Sequence, residues 1–147
     1  MEVIELLILN EKTVSNLYAI FALRFPELRE FWQKKATEEE VHAELLLGVK
    51  AIAQEVSSFL NPSRFNAEML QRWVTQVSNL VREAGRLTLL EALAAAKDIE
   101  SSLIEQEFFK VIATDSPQFQ QALKKLESDT KKHAAEMVEM YQKYSKK

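Results

Sequence analysis

The chain has 147 residues, 47% of them hydrophobic and 28% charged, the balance of one soluble globular domain with enough apolar material for a core. With two glycines, three prolines and no cysteine, it lacks the turn residues of a β-sandwich, the glycine-rich loops that cradle phosphates, and all disulfides and thiolate metal sites. A net charge of −3, from 19 basic and 22 acidic residues, is not the basic footprint of a nucleic-acid-binding protein.

The start, Met1-Glu2-Val3-Ile4-Glu5, has no basic residue before Lys12, unlike the basic opening of a signal peptide. No apolar run approaches the ~20 residues that span a bilayer. These features predict a cytoplasmic protein that does not enter a membrane.

A first helix is predicted from about residue 2 to Phe25, because Pro26 disfavours helical geometry in the residue before it. Pro26 suits the first turn of a second helix, which extends to about Ser57. Asn61-Pro62-Ser63 signals a loop, and a shorter helical segment follows over 66–84. Thr88 with Glu91 forms a capping-box pattern that opens a third long helix, expected to continue to about Ala113. Asp115-Ser116-Pro117 stops it and starts a fourth, with Ser116 at the N-cap and Pro117 at the first helical position. Lys143, Lys146 and Lys147 complement the dipole at the end of the fourth helix. The fold class is all-α: a single domain over 1–147, built as a four-helix bundle of two antiparallel hairpins. Residues 58–87 form a long helical crossover between them, the ferritin-like connectivity.

Each long helix carries an apolar stripe stepping by three and four. Ionisable groups interrupt every stripe: Glu11 in the first, Glu39 and His42 in the second, Glu100 in the third, His133 in the fourth. Residues equidistant from a hairpin turn face each other. Glu11 and His42 are centred on the Phe25-Pro26 turn, and Glu100 and His133 on the Ser116-Pro117 turn. Glu39-x-x-His42 follows Glu11 by 28 residues, and Thr130-x-x-His133 follows Glu100 by 30, an internal pseudo-repeat with threonine replacing glutamate. An uncompensated carboxylate in a bundle core costs several kcal/mol, so acids and imidazoles at one level call for a cation. Glu-x-x-His puts both side chains on one helix face, and oxygen with imidazole donors without thiolate suits iron or manganese, with zinc also accepted. Lys35 reads as a lysine reaching to the surface, and Trp32, Met137 and Met140 read as core.

At these residues the sequence resembles the rubrerythrin branch of the ferritin-like diiron-carboxylate superfamily. The resemblance spans nearly the whole chain: Glu11 with Tyr18 seven residues on, Glu39-Glu40-Val41-His42-Ala43, Glu100 and His133. It implies a centre of two irons in which Glu39 bridges, Glu11 and Glu100 are terminal ligands, and His42 and His133 each cap one metal. It also implies a homodimer, and oxidation of ferrous iron by peroxide or oxygen. Two positions depart from the family pattern. Thr130 stands where a bridging glutamate is expected, which would leave one ion plus a weak site. Lys97 lies three residues before Glu100, where rubrerythrins carry a further ligating glutamate. Lacking the cysteines of a rubredoxin-like electron-delivery domain, an active enzyme would need a separate electron donor. Glu38 and Asp129 each precede a ligand-register position by one residue. They are either surface acids or hydrogen-bond partners for the second ring nitrogen of a histidine on the neighbouring helix. Besides the oxidoreductase, the sequence leaves open a metal-binding protein without turnover and a degenerate helical interaction module whose site is closed by Lys97.

Overall fold

The structure, a computed structural model, describes residues 3–53, 67–107 and 117–146. All of its elements are helical, and no strand occurs among the described residues. Two compact units divide the chain, Met1–Arg86 and Leu87–Lys147.

In the first unit, α1 (Val3–Arg24) ends where Phe25 leaves helical space at φ −121° and ψ 79° ahead of Pro26. Pro26–Leu28 form a single 3-10 turn, tied by the Leu28 N–H to the Phe25 carbonyl at 3.0 Å. The α-helix resumes as α2 (Arg29–Ala53). The two helices form an antiparallel hairpin. The Ser15 hydroxyl donates to the Ala36 carbonyl at 2.8 Å, and Trp32 packs on Tyr18 and Phe21 at ring separations of 5.5 and 4.9 Å. All three pairs are centred between residues 25 and 27, as the proline turn requires. Trp32, Tyr18 and Phe21 have no exposed surface and anchor the core of this hairpin.

The third helix, α3 (Ala67–Glu83), buries Leu70, Val74 and Val77, one stripe at helical spacing, and packs against α1. Trp73 Nε1 donates to Asn10 Oδ1 at 2.9 Å, and the Arg24 guanidinium donates to the Ala84 carbonyl at 2.6 Å. Both partners ascend together along the chain, so α3 runs parallel to α1 and returns to the Pro26 end. The shorter helical segment expected over 66–84 is thus seen over 67–83. The Asn61-Pro62-Ser63 loop lies outside the described residues.

The second unit opens with the capping box. Thr88 Oγ1 accepts from the Glu91 N–H at 3.1 Å, and the Glu91 carboxylate accepts from the Thr88 N–H at 2.9 Å. The backbone bond, and then the hydroxyl, hold the Glu91 carboxyl below its usual range.

The helix that follows differs from the sequence expectation. It does not run on to Ala113: α4 (Leu89–Glu100) stops at Glu100, and α5 (Leu103–Glu107) begins after Ser101 and Ser102. Local hydrogen bonds make the break. Ser102 Oγ donates to the Ile99 carbonyl at 2.6 Å and accepts from the Glu105 N–H at 3.2 Å, so Ser102 caps α5. The last helix, α6 (Pro117–Ser145), opens on Pro117 as expected, while Asp115 and Ser116 lie outside the described residues. Both α4 and α5 pack on α6. Ala92, Leu93, Ala96 and Ile99 are buried in α4, and Leu126 and Met137 in α6. No helix among the described residues is long and apolar enough to cross a membrane.

Candidate metal centre

In the first unit, α1 contributes Glu11 and α2 contributes Glu39 and His42, one helical turn apart on the same face. All three are buried, at 1%, 0% and 2% exposure. His42 Nδ1 lies 3.6 Å from the Glu11 carboxylate and 3.7 Å from that of Glu39. One donor atom from each residue falls within 4.8 Å of the others. Metal–ligand bonds of about 2.0–2.2 Å place donors around one ion roughly 3–4.4 Å apart, so the two histidine–carboxylate distances suit a common cation. This buried cluster of carboxylates and imidazole could hold a metal ion. Two acids with one imidazole supply the negative charge that a divalent or trivalent ion needs in an interior where water is excluded.

The groups around this cluster are equally defined. Tyr18, two turns beyond Glu11, is fully buried against Trp32. Lys35, one turn before Glu39, does not reach solvent as its sequence position suggested. Its side chain is 0% exposed, with Nζ 3.5 Å from Glu38 and 5.7 Å from the centre of the Phe31 ring. The Phe31 ring lies beside the ammonium, and Glu38 supplies the counter-charge. Glu38 itself is partly exposed and also lies 4.0 Å from Lys34, so its carboxylate is engaged by lysines of its own helix.

In the second unit the Glu100 carboxylate and His133 Nδ1 are 3.9 Å apart, with exposures of 0% and 2%. Glu100 is the last residue of α4, and His133 lies in the middle of α6. Thr130, one turn before His133, is buried, and its hydroxyl donates to the Glu127 carbonyl at 3.0 Å within its own helix. The Lys97 ammonium lies over the Tyr141 ring at 4.6 Å, a cation–π contact between α4 and α6. Asp129 is half-buried beside Thr130.

Three residues of this region escape a reading of the sequence by periodicity. Glu105 is a buried carboxylate of α5, at 0% exposure. Gln106 donates through Nε2 to the carbonyl of Glu100 at 2.8 Å and to that of Thr130 at 2.9 Å. Ser102 makes the break that turns both inward. A signal was present: Ser102-Leu103-Ile104-Glu105 is a Ser-x-x-Glu helix-start pattern within the expected third helix.

No protein-family model, curated protein or solved structure matches the chain.

Proposed function

We propose that the chain is a non-haem iron-binding protein of the rubrerythrin-like, ferritin-like kind, with a diiron-type centre, that oxidises ferrous iron with peroxide or oxygen. The observation that carries this reading is the buried convergence of Glu11, Glu39 and His42. In the reading, Glu100 and His133 supply the remaining ligands, as the resemblance implies. Bound iron would supply one-electron chemistry between its ferrous and ferric states. The carboxylates of Glu11, Glu39 and Glu100 favour the more highly charged ion because like donors in a low-dielectric interior act on it with little screening. His42 and His133 bind as neutral imidazoles, so loading displaces any proton they carry and weakens as pH falls.

Anaerobic titration of ferrous iron into the metal-free protein, followed by peroxide, tests the proposal. Buried ligands predict saturable binding, lost in the His42→Ala/His133→Ala double variant, and oxidation that depends on the bound iron. Unchanged binding in the double variant would overturn it.

A second reading, metal binding without turnover, is favoured by Thr130. Its hydroxyl is neutral, short and committed to the Glu127 carbonyl, so α6 brings one ligand where Glu-x-x-His would bring two. One tight equivalent of iron with slow peroxide oxidation would select this reading. Two tight equivalents with rapid oxidation would select the first.

A further inference from the structure

We propose that Gln106 is a positioning residue that holds Glu100 in reach of His133 by bracketing the broken end of α4 to α6; this rests on the metal-centre reading above. The carbonyls at a helix C-terminus lose their intrahelical partners, and here that end carries a candidate ligand. The Ser101 N–H takes the Lys97 carbonyl at 3.0 Å and the Ser102 N–H takes the Ile99 carbonyl at 3.1 Å. The carbonyl of Glu100 itself goes to the Gln106 side chain at 2.8 Å. The same nitrogen reaches the Thr130 carbonyl at 2.9 Å. A primary amide nitrogen carries two hydrogens, one for each acceptor. Thr130 is one turn before His133 on α6, so a single side chain fixes the spacing of the two backbones at the level where Glu100 and His133 lie 3.9 Å apart.

The serine break explains why a bracket is needed. In an uninterrupted helix the backbone ladder would hold Glu100 from both sides. At a C-terminus it is held from one side only, and the last turn frays unless something outside the helix ties it down. Gln106 reaches back to the Glu100 carbonyl across the break that the Ser102 hydrogen bonds make. Glutamine is suited to this position in a way its closest relatives are not. Glutamate would set carboxylate oxygens against two carbonyl oxygens, and methionine keeps the length but donates nothing.

Cobalt(II) is the probe, since its visible absorption reports the geometry of its ligands. Binding to the intact chain is measured for native protein, Gln106→Met, Gln106→Glu and Thr88→Ala. The last removes the capping box of α4 at its far end and controls for loss of stability alone. Hydrogen bonds that orient metal ligands are worth about 10- to 100-fold in affinity. Both Gln106 variants are therefore expected to weaken cobalt binding by about tenfold or more and to change its visible spectrum. Thr88→Ala is expected to leave both as in native protein. Backbone amide exchange of 101–106 in the metal-free Gln106→Met protein should be faster than in native, a readout independent of metal. Native affinity, spectrum and exchange in both Gln106 variants would overturn the inference, and so would an equal loss in Thr88→Ala. Failure of native protein to bind cobalt would instead overturn the metal-centre reading, and this inference with it.

Discussion

Replacing His42 by alanine removes the imidazole that stands 3.6 and 3.7 Å from the carboxylates of Glu11 and Glu39. It takes one of three converging donors from a cluster that is at most 2% exposed, where water has little access to substitute for it. Loss of a residue that merely orients a ligand costs up to about 100-fold in metal affinity, so loss of the ligand itself should cost at least that. The consequence can be read as thermal stability. A ligand present at about 100 times its dissociation constant stabilises the folded protein by roughly 2.7 kcal/mol. For a chain of this size 1 kcal/mol corresponds to about 2–4 °C, so metal should raise the native melting temperature by about 5–11 °C. At the same metal concentration, a dissociation constant 100-fold higher leaves only about 0.4 kcal/mol, a rise of about 1–2 °C. The assay is thermal unfolding followed by circular dichroism, with and without manganese(II), for native and His42→Ala proteins at one metal concentration. Comparing each protein with its own metal-free form removes any packing cost of the truncation. An equal metal-induced rise in the two proteins would refute the assignment of His42 as a ligand.

Thr130→Glu rebuilds Glu-x-x-His in α6 and is expected to tighten binding of the second equivalent of iron relative to native protein, measured by anaerobic titration; unchanged second-site affinity would show that position 130 does not face the centre. Thr88→Ala should cost about 1 kcal/mol, seen as a fall of about 2–4 °C in melting temperature, because it removes the N-cap of α4. The Glu91 carboxyl sits below its usual range in the folded protein, so its contribution is present above the unfolded value and fades as pH falls through the folded one. Glu91→Gln should accordingly differ from native stability at neutral pH and converge with it in strong acid, as followed by denaturant unfolding. Lys35→Met replaces a fully buried ammonium by an apolar side chain of similar length, while Glu38 keeps Lys34 and solvent. It should raise the stability of the metal-free protein by about 1 kcal/mol, and a fall in melting temperature would show that the buried charge is structurally required.

Much of the first unit was legible in the sequence because its punctuation is strong and local. Pro26 drives Phe25 out of helical space and suits the start of the next helix, and with 3.6 residues per turn on either side this brings Glu11 opposite His42 in the hairpin. The Thr88–Glu91 capping box and Pro117 were equally readable, since each acts through bonds to its immediate neighbours. Three features were decided elsewhere. Lys35 is buried with Phe31 beside its ammonium and Glu38 as counter-charge, and no periodicity encodes that balance. Asn10 became interior through Trp73, a partner 63 residues away.

The end of α4 is the clearest case. A stretch of good helix formers around Ser101 and Ser102 reads as continuous, because two serines cost a helix only a few tenths of a kcal/mol each. The alternative needs contacts that local propensity cannot see: the Ser102 cap on Glu105, and the Gln106 amide shared between Glu100 and Thr130 of another helix. The residue types able to bind a metal, and the level at which Glu11 and His42 meet in the first hairpin, were determined by the sequence alone, through helical period and proline. How Glu100 is held beside His133 was decided by tertiary structure. The hydrogen bonds that compensate a broken helix form only when α5 and α6 are already packed together.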